Sequence, residues 1–147
     1  MAETGHEALA VRSKPTDIDL GGLRFSVSFR GEAGATLRVS GDVAGKSEEL
    51  LRFDDFIDAP HYHVPAAGDA IMVDRDTQGD PLELYITELR DHLGELLVTA
   101  GYADVIPEVD LGAVRDGADR IRQAMIDCVP EGFNRVAGVG LRRASAV

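Results

Sequence analysis

Cysteine is nearly absent: Cys128 is the only one in the chain. No disulfide can form within the chain, and a reducing compartment is expected. Positive charge is also scarce. Fifteen Lys and Arg stand against 26 Asp and Glu, a formal charge of −11 at pH 7. Such a surface repels phosphate backbones and anionic lipid, so no nucleic-acid or membrane partner is expected. A basic protein partner would suit it, and so would simple solubility. No apolar run approaches the ~20 residues of a membrane span, and the N-terminal segment lacks the apolar centre of a signal peptide. A cytoplasmic protein is the expectation. No serine has the G-x-S-x-G setting of a hydrolase nucleophile.

What is present is ordinary globular material. Hydrophobic residues make up 44% and charged residues 28% of 147 residues, enough for one domain with a real core. From Asp80 to Gly101, Leu82, Tyr85, Ile86, Leu89, Leu93, Leu96, Leu97 and Ala100 recur at three- and four-residue steps. That spacing draws one apolar stripe along a single long helix. Asp80 is placed to cap it, Pro81 to occupy its first position, Glu83 to close a capping box and Gly101 to end it. A second helix is expected from Asp110, on the stripe Leu111, Val114, Ala118, Ile121, Met125 and Cys128. Gly112 and Gly117 weaken it by up to about 1 kcal/mol each, so its stability must come from packing.

Upstream the period is two. Leu23, Phe25, Val27 and Phe29 alternate with polar residues, as do Ala35, Leu37, Val39 and Val43; both stretches read as half-buried strands. Gly41 is a candidate bulge. Leu50 to Phe56 reads as a third strand, although Leu50-Leu51 and Asp54-Asp55 blur its alternation. His61-Tyr62-His63, bracketed by Pro60 and Pro65, suits an edge strand, and Ala70 to Asp74 a last one. Short turns require antiparallel pairing. The expected fold is therefore α+β: an antiparallel meander of four or five strands, covered on one face by a C-terminal helical hairpin. Residues 1–20 read as a flexible arm, 21–132 as one domain and 133–147 as a basic tail.

Two stretches invite chemistry. Gly41-Asp42-Val43-Ala44-Gly45-Lys46-Ser47 approaches the phosphate-binding G-x-x-x-x-G-K-[ST], but three residues rather than four separate the glycines. Its neighbours alternate like antiparallel strands, so it reads as a hairpin turn and no cofactor-binding motif is expected. His61-Tyr62-His63 is the stronger candidate. On an extended backbone both imidazoles point to one face, with Tyr62 on the other. Together they suit zinc, iron, copper or nickel, given a third ligand. Asp54, Asp55 and Asp58 precede the pair, and Asp69, Asp74 and Asp76 follow it; Asp54 and Asp58 are the chosen partners. The pair opens like the cupin pattern, H-x-H then Glu, but no glutamate follows before Glu83. An H-x-H alone is a short, frequent match, so the preferred reading is that the rings cap a sheet edge by bonding to backbone groups or to Asp54 and Asp58, with a bound metal as the alternative. His92 falls on the polar face of the long helix, and Cys128 reads as a packed, inert thiol.

Leu51-Arg52-Phe53-Asp54, Pro60-His61-Tyr62-His63, Gly79-Asp80-Pro81-Leu82-Glu83 and Ala100-Gly101-Tyr102 together resemble a pattern in small uncharacterised bacterial proteins. The resemblance covers about residues 22–128 and implies a standalone domain with no assigned activity. Two classes of function follow from the chain itself. One is a small acidic module that binds a protein or small-molecule partner. The other is a metal-dependent enzyme or metal-binding protein, centred on His61 and His63 and holding a divalent transition metal such as zinc.

Overall fold

Two-residue alternation runs through the first half of the chain and builds one antiparallel sheet. The computed structural model describes residues 15–133. Its strands are β1 (Thr16–Leu20), β2 (Leu23–Arg30), β3 (Gly34–Val43), β4 (Lys46–Phe56), β5 (His61–His63) and β6 (Ala70–Met72). They lie in sequence order, each antiparallel to the next. The expected meander is there, with six strands rather than four or five. The additional one is β1, which pairs with β2 from Thr16 opposite Val27 to Leu20 opposite Leu23. Residues 1–14 of the expected arm and 134–147 of the expected tail lie outside the described residues. His61-Tyr62-His63 is not the sheet edge, because β6 pairs outside it.

The helices follow: α1 (Arg75–Gln78), α2 (Pro81–Asp91), α3 (Leu93–Thr99), a 3-10 turn (Ala103–Glu108) and α4 (Leu111–Asp127). Asp80 caps α2 by accepting from Leu82 N, and Asp110 caps α4 by accepting from Ala113 N. The single helix expected from Asp80 to Gly101 is broken at His92, whose φ of −133° lies outside the helical range. The apolar stripe steps straight through the break, so periodicity could not show it. Packing made it. The second piece, α3, swings over the 3-10 turn, and Leu111 Cδ1 comes within 3.4 Å of where a side chain on Gly94 would begin.

Phe25, Val27, Leu37 and Val39 of the sheet share one core with Leu89, Leu93, Ile121 and Met125 of the helices, and Leu96 packs at its margin. A one-sided sheet and one-sided helices bury each other, which is the economical solution for both. Gly117 in α4 is part of that fit. A side chain there would start 2.7 Å from Leu20 Cδ1 of β1, so the helix gives up propensity to let the strand approach.

The blurred alternation of β4 also has a cause. The register shifts between Val39 and Ser40, which face Leu51 and Glu49, leaving Leu50 as an extra residue. Residues three apart would ordinarily face opposite ways; the bulge returns Glu49 to the face that carries Arg52. The helix-facing side of β4 then holds Leu51, Phe53 and Asp55, and the other side Arg52 and Asp54.

Two outcomes are expected from this packing. Leu93 is 3% exposed within the core, so Leu93→Ala should lower the free energy of unfolding by about 2–5 kcal/mol in a denaturant titration. At the helix break, the Glu95 carboxylate hydrogen-bonded to His92, aided by the charges of Glu88 and Asp91, raises the proton affinity of that imidazole above its ordinary range. A raised folded-state value means the contribution to stability is complete below about pH 6.5, the unfolded value, and fades as pH rises through the folded one. An NMR titration should find His92 titrating above a free imidazole, and His92→Gln should flatten stability across that window.

Candidate metal centre

Strand geometry assembles the cluster. Asp54 of β4 lies directly opposite His61 of β5, and Arg52 opposite His63. The period of two sends both imidazoles to the face away from the helices and Tyr62 to the core side. There Tyr62 stacks on Phe53, centroids 5.7 Å apart, and meets Tyr85 edge-on at 5.9 Å. The expected convergence of the two histidines is observed. One ligand atom each from Asp54, His61 and His63 fall within 4.8 Å of one another, so the three lie close enough to hold a metal ion.

Hydrogen bonds orient each member. His61 Nδ1 lies 2.8 Å from the Ala59 carbonyl, and His63 Nδ1 lies 2.8 Å from the Gly68 carbonyl. A carbonyl oxygen only accepts, so both Nδ1 atoms carry a hydrogen, and each ring in its neutral form would present a bare Nε2 lone pair. Both Nε2 atoms face one oxygen. His61 Nε2 is 3.0 Å and His63 Nε2 3.9 Å from Asp54 Oδ2. The other carboxylate oxygen, Oδ1, accepts from the Thr36 hydroxyl at 2.9 Å. Two lone pairs facing a carboxylate repel unless something positive lies between them, a proton or a cation. Ligands at 2.0–2.2 Å from a tetrahedral ion sit about 3.3–3.6 Å from each other, between the 3.0 and 3.9 Å of the two histidine–Asp54 distances. Backbone-tethered Nδ1 with Nε2 free is the arrangement by which outer partners orient metal-bound histidine.

The supports come from further away in sequence. Ala59 has φ of +55°, a left-handed conformation that costs a non-glycine residue about 1–3 kcal/mol, and its carbonyl is the one that receives His61. From the core side, the Tyr85 hydroxyl of α2 reaches the backbone oxygens of Asp54 (2.8 Å) and His61 (3.1 Å), tying β4 to β5 at the level of the ligands. Burial, then the charges of Asp55 and Asp54, push that phenol far above its usual range, so it stays a donor. Arg75 binds the carbonyls of Phe56 and Ile57 at 2.9 and 2.8 Å, fixing the bend between the two strands.

The remaining candidates fall elsewhere. Asp58 is exposed in that bend and is not among the three converging groups. Asp55 points to the core side, Asp74 caps α1, and Asp69 and Asp76 are exposed. Gly41 to Ser47 forms the β3–β4 hairpin, closed by the Asp42 carboxylate on Gly45 N, beside an open depression of about 440 Å³. Cys128 donates to the Met125 carbonyl, and burial, with the Asp55 charge adding, pushes its thiol up to about 11. Alternation with Ala35 and Leu37 places Thr36 on the outward face, beside Asp54, yet it is fully buried. Tyr85 was hidden in an apolar stripe. Its single polar tip was the only sequence signal of a second role.

Residues 17–125 match the profile of a family described as "Domain of unknown function (DUF7700)", and the chain belongs to that family. No curated protein and no solved structure matches the chain.

Tyr85→Phe should cost about 1–3 kcal/mol, the usual penalty for leaving buried backbone oxygens without their donor. Amide exchange should accelerate in β5 and β6 more than in β2 and β3. A uniform effect across the sheet would show that the hydroxyl does not hold these strands together. Cys128 should resist alkylation at neutral pH in the folded protein and react fully in denaturant, because burial keeps it a thiol.

Proposed function

We propose that this DUF7700 protein binds a divalent transition metal, zinc in the first instance, through Asp54 Oδ2 and the Nε2 atoms of His61 and His63. One observation carries the reading: both rings have Nδ1 tied to backbone carbonyls while both Nε2 atoms face the same buried oxygen. Histidine and carboxylate donors suit zinc and iron alike. Three protein ligands leave at least one coordination position for water or a small molecule, which is the arrangement of a reactive site and not of a closed structural one. The imidazole side chains keep 19% and 18% of their surface exposed, so that position opens to solvent. The site is thus a metal-centred binding face for a small-molecule partner, with metal-assisted activation of water as its accessible chemistry. The competing arrangement is an imidazolium–Asp54 ion pair, which the 3.0 Å contact would also suit.

Metal analysis and calorimetry on protein without a histidine tag separate the two. One zinc or cobalt per chain is expected, with affinity falling at acid pH because protons compete for the same nitrogens. Asp54→Asn and His61→Ala should abolish binding and leave the helices folded. Thr36→Val should weaken it about 10–100-fold, the usual effect of removing a ligand's support. Zinc at a hundred times its dissociation constant should add about 2.7 kcal/mol to stability. Wild-type affinity in Asp54→Asn would show that the metal does not bind through this cluster, and NMR signals of two N–H protons on His61 unchanged by added zinc would favour the ion pair; either ends this reading.

A further inference from the structure

The row of residues next to the cluster carries a second recognition element. Arg38 of β3 lies directly opposite Arg52 of β4, which lies directly opposite His63 of β5. Like charges directly across a sheet are unfavourable, and the carboxylate of Glu49, with the charge of Asp54 felt at Arg52, offsets this pair. Glu49, brought to this face by the bulge, takes Arg52 in a two-pronged bond at 2.8 and 3.0 Å. It stays 3.8 Å from Arg38 Nε, too far for a hydrogen bond. The buried Nε of Arg38 therefore has no hydrogen-bond partner among the described residues, and the side chain keeps 41% of its surface exposed. In a chain of net charge −11, two guanidinium groups share the face and the neighbouring row with Asp54, His61 and His63, and Glu49 pairs with both of them. The opposite side of the cluster is apolar: Phe56 packs edge-on to His61 at 5.5 Å, and exposed Met72 is its cross-strand neighbour.

We propose that Arg38, with Arg52 behind it, forms an oxyanion subsite beside the metal, so that the small molecule this site takes carries a carboxylate or phosphate group. The inference rests on the metal reading above. One oxygen of the anion would take the open coordination position and another would meet the Arg38 guanidinium, whose planar donors match such groups. The apolar remainder of the molecule lies toward Phe56 and Met72. Arg38 is a binding residue in this scheme, and Glu49 sets how strongly the pair attracts an anion.

The test measures metal and anion separately. Zinc is titrated first, without competing anions; inorganic phosphate and oxalate are then titrated, each in its own arm, into zinc- or cobalt-loaded protein by calorimetry and visible absorption. Saturable binding of either anion, with a change in the cobalt spectrum, is expected, and the tighter arm identifies the oxyanion class. Arg38→Met should weaken anion binding at least tenfold while zinc affinity stays within twofold, which also shows that the variant is folded. Glu49→Gln should move the other way and tighten anion binding several-fold, because it removes the carboxylate that competes for the arginines. A merely structural Arg38 would give no such increase. Unchanged anion affinity in Arg38→Met, weaker binding in Glu49→Gln, or no anion binding to the loaded protein would overturn the subsite while leaving the metal reading intact. Failure of the first titration, with no zinc bound, would overturn both.

Discussion

Asp54 is 3% exposed, and a carboxylate taken that far out of water is costly unless its charge is met. The Thr36 hydroxyl satisfies one oxygen. The other oxygen faces the Nε2 atoms of two imidazoles whose Nδ1 atoms are held by the Ala59 and Gly68 carbonyls. That corner of the sheet therefore requires a positive species. Whatever fills the requirement draws β5 onto β4, and β6 pairs only through β5. That attraction adds to the backbone ladder and the Tyr85 hydroxyl that already hold these strands together.

The core side answers the same need with neutral groups. Tyr62, Phe53 and Tyr85 pack behind the ligands, and the Tyr85 hydroxyl holds the two ligand-bearing strands by their backbones. A strand can carry two chemistries at adjacent residues because its side chains alternate. Asp54 looks out to the histidines and Asp55 in toward the helices. A one-residue slip of β4 would exchange them and bring Phe53 out of the core, so the hydrophobic packing of Phe53 and Leu51 guards the register of the site.

Much of this was visible in the linear chain. The alternation of Leu23 to Phe29 and Ala35 to Val39, and the stripes of Leu82 to Leu97 and Val114 to Met125, are local periodicities that a single buried face imposes. Asp80 and Asp110 announced their helices by the same local logic. His61 and His63 were readable as a pair because residues two apart on a strand must share a face. The break at His92 was not readable, since Gly94 and the 3-10 turn that α3 covers act through space on a stripe that continues unbroken. Nor was β1, whose short stretch Thr16–Leu20 buries Ile18 and little else.

The third ligand marks the boundary between the two kinds of information. Any of six aspartates had a claim by proximity in sequence, and the choice of Asp54 follows from the pairing of β4 with β5, a register decided by the whole sheet and its bulge. The bulge likewise decides that Glu49 joins Arg52, and the sheet decides that Arg38 faces them both. By itself the sequence determined the composition of the core, the kind of each element and the partnership of the two histidines, because these follow from periodicity along one segment. Only the tertiary structure decided which charges meet, because side chains on different strands become neighbours through hydrogen-bond register, and register is a property of the assembled sheet.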